Sequence, residues 1–286
     1  MLVHRLPFFA ALTVFSLVLA GCTGKQNHSA FIQQKAQSIN ASAEVIQGGD
    51  FQLQTLQIMP GQQKTLRVYI EGDGKAWARR NRPSSDPTPD NPLSLNLMAA
   101  DPVSDKAYIA RPCQYVMSQN CSISIWTDLR YSQQAVDSIN QVLDSLKSKG
   151  AYEKLELVGF SGGAALALLA AVERRDISAI RTVAGNLDPA YVNRLHNVSF
   201  MPAALSPVKN TRELDDVPQL HFFGSEDSVI PPEVYAAYRT WFGKQDCIKG
   251  MEVKGADHSD GWLEQWPELL AVAVPQCLST PPKLQP

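Results

Sequence analysis

The chain lacks any apolar run long enough to cross a bilayer. Its most apolar stretch, Leu6 to Leu19, falls short of the ~20 residues that a spanning helix needs. It also lacks an excess of either charge. Lys and Arg number 26 against 28 for Asp and Glu, a net charge of -2, so nothing favours nucleic acid as a partner. There is no H-E-x-x-H, no cysteine–histidine spacing suited to zinc, and no G-x-x-x-x-G-K-S/T phosphate loop. No internal repeat or heptad pattern is present. The sequence thus calls for no metal and no cofactor.

What is there begins with a leader. His4 and Arg5 precede the apolar run, which closes at Leu19-Ala20-Gly21-Cys22. A polar start, a short apolar core and small residues at the end read as a secretory signal over residues 1–21. The closing tetrapeptide resembles the bacterial lipobox, and that resemblance implies a lipidated Cys22 as the mature N-terminus. Thr23 stands where an aspartate would mark inner-membrane retention, so the outer membrane, periplasmic face, is the expected location in a Gram-negative cell. Residues 22–50 are polar and read as a tether, with a loose helix over Ala30 to Ser38. Residues 51–278 have the size of one α/β domain, and 279–286 form a proline-rich tail. Export suits the remaining cysteines, which are even in number. Of the three pairings that four cysteines allow, Cys113 with Cys121 and Cys247 with Cys277 are favoured. The first closes a short loop, and the second ties the last strand to the last helix. Arg79, Arg80 and Arg82 are the one basic cluster, read as a solvated loop face or as a site for an anionic substrate or lipid headgroup.

Within the domain, strands are predicted over 51–58, 65–71, 107–110, 154–158, 177–184, 218–223 and 248–253. Helices are predicted over 92–100, 131–149, 164–174, 231–242 and 262–274. The helix from Tyr131 carries Ala135, Val136, Ile139, Val142, Leu143 and Leu146 on one face. Strands alternating with helices predict an α/β class, with a mostly parallel sheet covered on both faces. The irregular segment from Gly185 to Val217 is a short cap-like insertion.

The chemistry centres on Gly159-Phe160-Ser161-Gly162-Gly163. This G-x-S-x-G sits between an apolar strand and an alanine- and leucine-rich helix. In that context a sharp turn presents a nucleophilic serine at the top of a sheet; the alternative is an ordinary turn whose serine caps the helix. A serine hydroxyl needs a base, held by a carboxylate, and the chain order for this arrangement is serine, acid, histidine. After Ser161 come His196, His221 and His258. His258 follows the last strand and is the chosen base, whereas His221 lies within a strand and His196 in the irregular segment. Asp227, in Gly224-Ser225-Glu226-Asp227-Ser228-Val229-Ile230-Pro231, is the chosen acid. Glu226 is its runner-up, and Asp257 and Asp260 are further options. The oxyanion donors are expected to be the amides of Gly162 and Asp73, with Gly72 or Gly74 open because the register of that loop is not fixed by sequence.

These residues together resemble the α/β-hydrolase superfamily over about 51–278. Tyr69–Gly74, Tyr108–Tyr115 and Ala184–Asp188 are similar to stretches in bacterial α/β-hydrolase-fold lipoproteins of undefined substrate. Within the last stretch, Asn186 and Asp188 either shape the pocket or hydrogen-bond their own loop. The resemblance implies a serine-dependent hydrolase and no particular substrate. An ester or thioester of a small-molecule or lipid acyl substrate is expected ahead of an amide, because an amide leaving group demands more of the acid step; with the leader, this makes a cell-envelope hydrolase acting through an acyl-enzyme the expected function. A serine peptidase or acyltransferase, or a non-catalytic envelope protein that uses the fold for binding, are the alternatives.

Overall fold

The computed structural model describes residues 28–243 and 245–277. The leader, Cys22 and the tail from 279 lie outside the described residues. The chain enters through α1 (His28–Ser38), β1 (Ser42–Gly48), β2 (Phe51–Ile58) and β3 (Thr65–Ile70). A small hairpin follows, β4 (Trp77–Arg79) and β5 (Arg82–Pro83), then α2 (Leu93–Ala100), β6 (Lys106–Ile109), α3 (Ile123–Trp126) and α4 (Gln133–Lys149). The second half runs β7 (Lys154–Phe160), α5 (Gly162–Val172), β8 (Ile177–Val183), α6 (Pro189–Leu195), α7 (Thr211–Leu214), β9 (Gln219–Gly224), α8 (Pro232–Arg239), β10 (Ile248–Val253) and α9 (Trp266–Ala271).

Among the described residues the main sheet has eight strands in the order β1-β2-β6-β3-β7-β8-β9-β10. β1 and β2 pair antiparallel, and β2 is antiparallel to β6. From β6 onward every pairing is parallel. All the parallel strands therefore end on one edge of the molecule, where an open α/β sheet gathers its binding loops.

Period-two alternation splits the core in two. Leu66, Val68 and Ile70 of β3 face α4 and α5, while Tyr69 faces α1, α2 and the tryptophans Trp262 and Trp266. α5 is apolar all round, and ten of its residues are buried. α4 buries the six residues that its spacing picked out, and Ser132 caps it by accepting from the Ala135 amide.

The tether boundary at residue 50 needs correction. α1 and β1 belong to the fold: β1 pairs with β2 along its whole length, and Ile32 and Ala36 of α1 enter the core. The sheet's sequence signal is weak there because β1 is an edge strand, with only Gly48 buried. The last helix also begins later than expected, at Trp266 rather than Trp262. Both favoured cysteine pairs are formed, Cys113 with Cys121 and Cys247 with Cys277. Among the described residues no helix is long and apolar enough to cross a membrane.

Candidate active site

Ser161 sits between β7 and α5 with φ 50° and ψ −119°. A non-glycine residue there is strained by about 1–3 kcal/mol and persists only where its surroundings over-determine it. Here they do. Its N–H donates to Val183 O of β8 (3.0 Å), and its carbonyl accepts from the amides of Ala164 (3.1 Å) and Asn186 (2.9 Å). The flanking glycines have steric work. A Cβ on Gly159 would lie 2.5 Å from Ala164 Cα, and one on Gly163 would run into the carbonyls of Ile70 and Glu71 at the end of β3. Only hydrogen at both positions lets α5 start this close to the sheet.

His258 reaches Ser161 from the loop after β10. Its Nε2 is 3.0 Å from Ser161 Oγ, and its Nδ1 is 3.0 Å from Asp227 Oδ2. A carboxylate can only accept, so Nδ1 carries the proton and Nε2 is left to accept from the serine hydroxyl. The Asp227 side chain is fully buried in the turn after β9. Its Oδ1 accepts from the amides of Val229 and Ile230, both at 2.8 Å, which aims Oδ2 at the imidazole. Phe160 packs beside the His258 ring at 5.4 Å.

The other candidates do other things. Asp257 Oδ1 accepts from the amides of Ser259 and Asp260, each at 2.7 Å, and those bonds hold its carboxyl below the usual range. Asp260 closes the same turn with its carbonyl. Glu226 is exposed, and its amide donates to Ala256 O. His221 is buried between Thr182 Oγ1 (2.8 Å) and Gln219 Oε1 (3.2 Å), and burial pushes its pKa down to about 3. His196 bonds Val229 O at 2.7 Å, tying the end of α6 to the loop that carries Asp227. Asn186 holds the Ser161 carbonyl through its backbone, and Asp188 caps α6 by accepting from Ala190 and Tyr191.

The loop after β3 is clamped from several sides. The Gly72 amide donates to Glu71 Oε1 at 3.0 Å, so it is not available to a substrate oxygen. No described residue accepts from the amides of Asp73 or Gly162. The Asp73 side chain is the surprise. It lies against Gly162 and is held by Arg111, by Arg130 Nε at 3.1 Å and by Tyr131 Oη at 3.0 Å. Burial alone would raise its carboxyl, but the two guanidinium groups outweigh burial and keep it below the ordinary value. Gln114 adds a bond from Nε2 to Gly72 O (2.9 Å), while its Oε1 accepts from the Arg111 amide. Glu71 is also buried. Burial pushes it up to about 7, against the opposing pull of the Gly72 amide and the Tyr108 hydroxyl.

Arg111, Gln114, Arg130, Tyr131 and Glu71 have no place among the sequence-derived site residues. The signals that touched them were two stretches, Tyr69–Gly74 for Glu71 and Tyr108–Tyr115 for Arg111 and Gln114; Arg130 and Tyr131 had none. Beside this cluster runs a cleft of about 70 Å³, lined by Pro189, Ala190, Phe200, Met201 and Leu205. The Leu205 amide donates to Tyr131 O, which joins the cleft to the Asp73 cluster. Among the described residues no group of His, Cys, Asp and Glu could hold a metal ion.

No family model matches the sequence, and no curated protein matches it significantly. Solved structures do match by shape. Est1E from Butyrivibrio proteoclasticus aligns at 17% identity over 80% of this chain and 95% of its own, with a TM-score of 0.57. An α/β serine hydrolase homologue from Coxiella burnetii aligns at 17% identity over 80% and 93%, TM-score 0.54. The Pyrococcus furiosus esterase Pf2001 aligns at 13% identity over 82% and 92%, TM-score 0.56. The chain has the α/β-hydrolase fold. At these identities the likeness speaks to architecture, and the chemistry rests on the residues themselves.

Proposed function

We propose that this chain is a serine hydrolase of the bacterial cell envelope, anchored by a lipidated Cys22 and acting on ester or thioester bonds. The observation that carries the reading is the continuous path Ser161 Oγ–His258 Nε2, His258 Nδ1–Asp227 Oδ2, with both contacts at 3.0 Å and the serine on a strained strand-to-helix turn. The names of the neighbours in shape, a serine hydrolase homologue and an esterase, support the same class.

In this reading Ser161 Oγ attacks the acyl carbon as His258 Nε2 takes the hydroxyl proton. The imidazolium is stabilised by Asp227. The negative charge on the former carbonyl oxygen is met by the amides of Gly162 and Asp73, and the positive end of α5 adds to it. His258 then protonates the leaving oxygen or sulfur as its bond to the acyl carbon breaks. Water, deprotonated by His258, releases the acyl group from Ser161. An alkoxide or thiolate leaves more readily than an amide nitrogen, which favours esters and thioesters. The cleft, apolar along Phe200, Met201 and Leu205 but also lined by Asn193, Ser206 and Lys209, is where this reading places the acyl part.

Labelling of the folded protein with a fluorophosphonate, compared with Ser161→Ala and His258→Ala, tests this. Labelling that requires both residues supports the hydrolase. A folded wild type that takes no label favours a binding protein instead.

A further inference from the structure

α1 begins at the end of the sheet that carries Ser161. His28 Nε2 is 2.7 Å from Asp86 in the loop after the β4–β5 hairpin, and Phe31 stacks on Tyr115, which follows β6. Six residue steps separate Cys22 from His28. A chain that short reaches roughly 20 Å even when fully extended. A lipid on Cys22 therefore leaves little freedom over which part of the domain meets the membrane.

The surface around that entry point has the composition of a membrane contact. The hairpin is held at its base by the Ser84 amide bonding Ala76 O, two residues from Asp86. It exposes Trp77 (46%) and, at its tip, Arg79, Arg80 and Arg82. Among the described residues none of these three arginines pairs with a carboxylate. The acids nearby are already engaged, Asp86 by His28 and Asp90 by Lys75 at 2.6 Å. Two more apolar side chains stand exposed on adjoining loops. Met117 lies two residues beyond Tyr115, and Ile123 opens α3, whose Trp126 indole donates to Ser84 O. An aromatic residue beside unpaired arginines matches the headgroup level of a bilayer, where the ring is half-immersed and the cations meet anionic lipid.

We infer that the β4–β5 hairpin, with Trp77, Arg79, Arg80 and Arg82, and the neighbouring Met117 and Ile123, form a face that docks on an anionic lipid leaflet. The tether part of this inference rests on lipidation of Cys22; the composition of the face does not. The hairpin starts four residues after Asp73, so the docked face is the serine's own end of the sheet. An acyl lipid would then be within reach of the site.

The experiment is amide hydrogen exchange on the full-length lipidated protein. It is reconstituted in phosphatidylglycerol vesicles, in phosphatidylcholine vesicles and in detergent micelles. Residues 76–84 should exchange more slowly in phosphatidylglycerol than in the other two. Three basic residues at an anionic surface are together worth on the order of 100-fold in partitioning, so Arg79→Glu, Arg80→Glu and Arg82→Glu combined should abolish the difference. If that variant fails to fold, raising the ionic strength on the wild type should remove the same protection. Equal exchange of 76–84 in all three media, or protection centred on Trp241 or Leu263 instead, overturns the proposal. The mass of Cys22 in the same sample separates the two ideas. An unmodified Cys22 with phosphatidylglycerol-dependent protection removes the anchor and keeps the face. A lipidated Cys22 with an unprotected hairpin does the reverse.

Discussion

Gly162→Ala tests the geometry of the proposed oxyanion end of the site most directly. A Cβ built on Gly162 lies 2.7 Å from the carboxyl carbon of Asp73 and 2.7 Å from Arg111 Nη1. Carbon atoms touch at ~3.5 Å, so at least about 0.8 Å of overlap must be relieved, and Asp73 Oδ1 lies closer still. An ordinary exposed carboxylate would swing away, but this one is held by Arg111, Arg130 and Tyr131. Overpacking of this kind costs about 1–3 kcal/mol. The movement also displaces the Asp73 amide, and loss of one oxyanion donor lowers kcat by about 10²–10³-fold. Asp73→Ala alone strands two largely buried guanidinium groups. That costs at the lower end of about 3–5 kcal/mol, because the Asp73 side chain retains 28% exposure and so is partly screened. The double variant has no carboxylate left to clash with the new methyl group. Urea unfolding should therefore show the pair to be less costly than the sum of the singles, by about 1–3 kcal/mol. Hydrolysis of an activated ester gives kcat in parallel, and activity should not return with the recovered stability, because without its carboxylate residue 73 loses the bonds to Arg111, Arg130 and Tyr131 that fix the position of its amide. Strict additivity, or a Gly162→Ala protein of wild-type stability, would refute the packing of Asp73 on Gly162.

Asp227→Asn should keep the turn, since Oδ1 can still accept from Val229 and Ile230, while losing the charge that steadies the imidazolium. A fall in kcat of about 10⁴-fold with little change in melting temperature is expected, and a loss below tenfold would argue for another acid. Glu71→Gln should alter the pH dependence of stability. Burial raises the folded carboxyl from 4.5 to about 7. The protonated form is thus favoured by folding, and its contribution is complete below pH 4.5 and lost as pH rises to about 7. Wild type should weaken over that window relative to Glu71→Gln in unfolding scans. Parallel curves for the two proteins would show that Glu71 stays ionised.

Much of this was legible because the relevant signals are local. The turn at Ser161 announces itself through two glycines between an apolar strand and an apolar helix. Asp227 and His258 each follow a strand through a short polar turn. The support of Asp73 was not legible, since its partners Arg111, Arg130 and Tyr131 converge from distant loops and only the folded sheet brings them together. β1 escaped for a different reason. An edge strand with a single buried residue carries almost no hydrophobic period, and a polar run of that composition reads the same whether paired or free.

The Cys247–Cys277 disulfide has a practical consequence. Cys247 precedes β10, and its carbonyl accepts from the Gln219 amide at the start of β9, so the bond pins Cys277 to the end of the sheet opposite Ser161. His28 enters at the serine end. The domain therefore has a polarity along its strands, with its first described residue at one pole and its last at the other. A reporter or affinity handle joined after Cys277 would set out from the pole opposite Ser161, which makes that position the one from which to immobilise the protein while leaving the Ser161 end free.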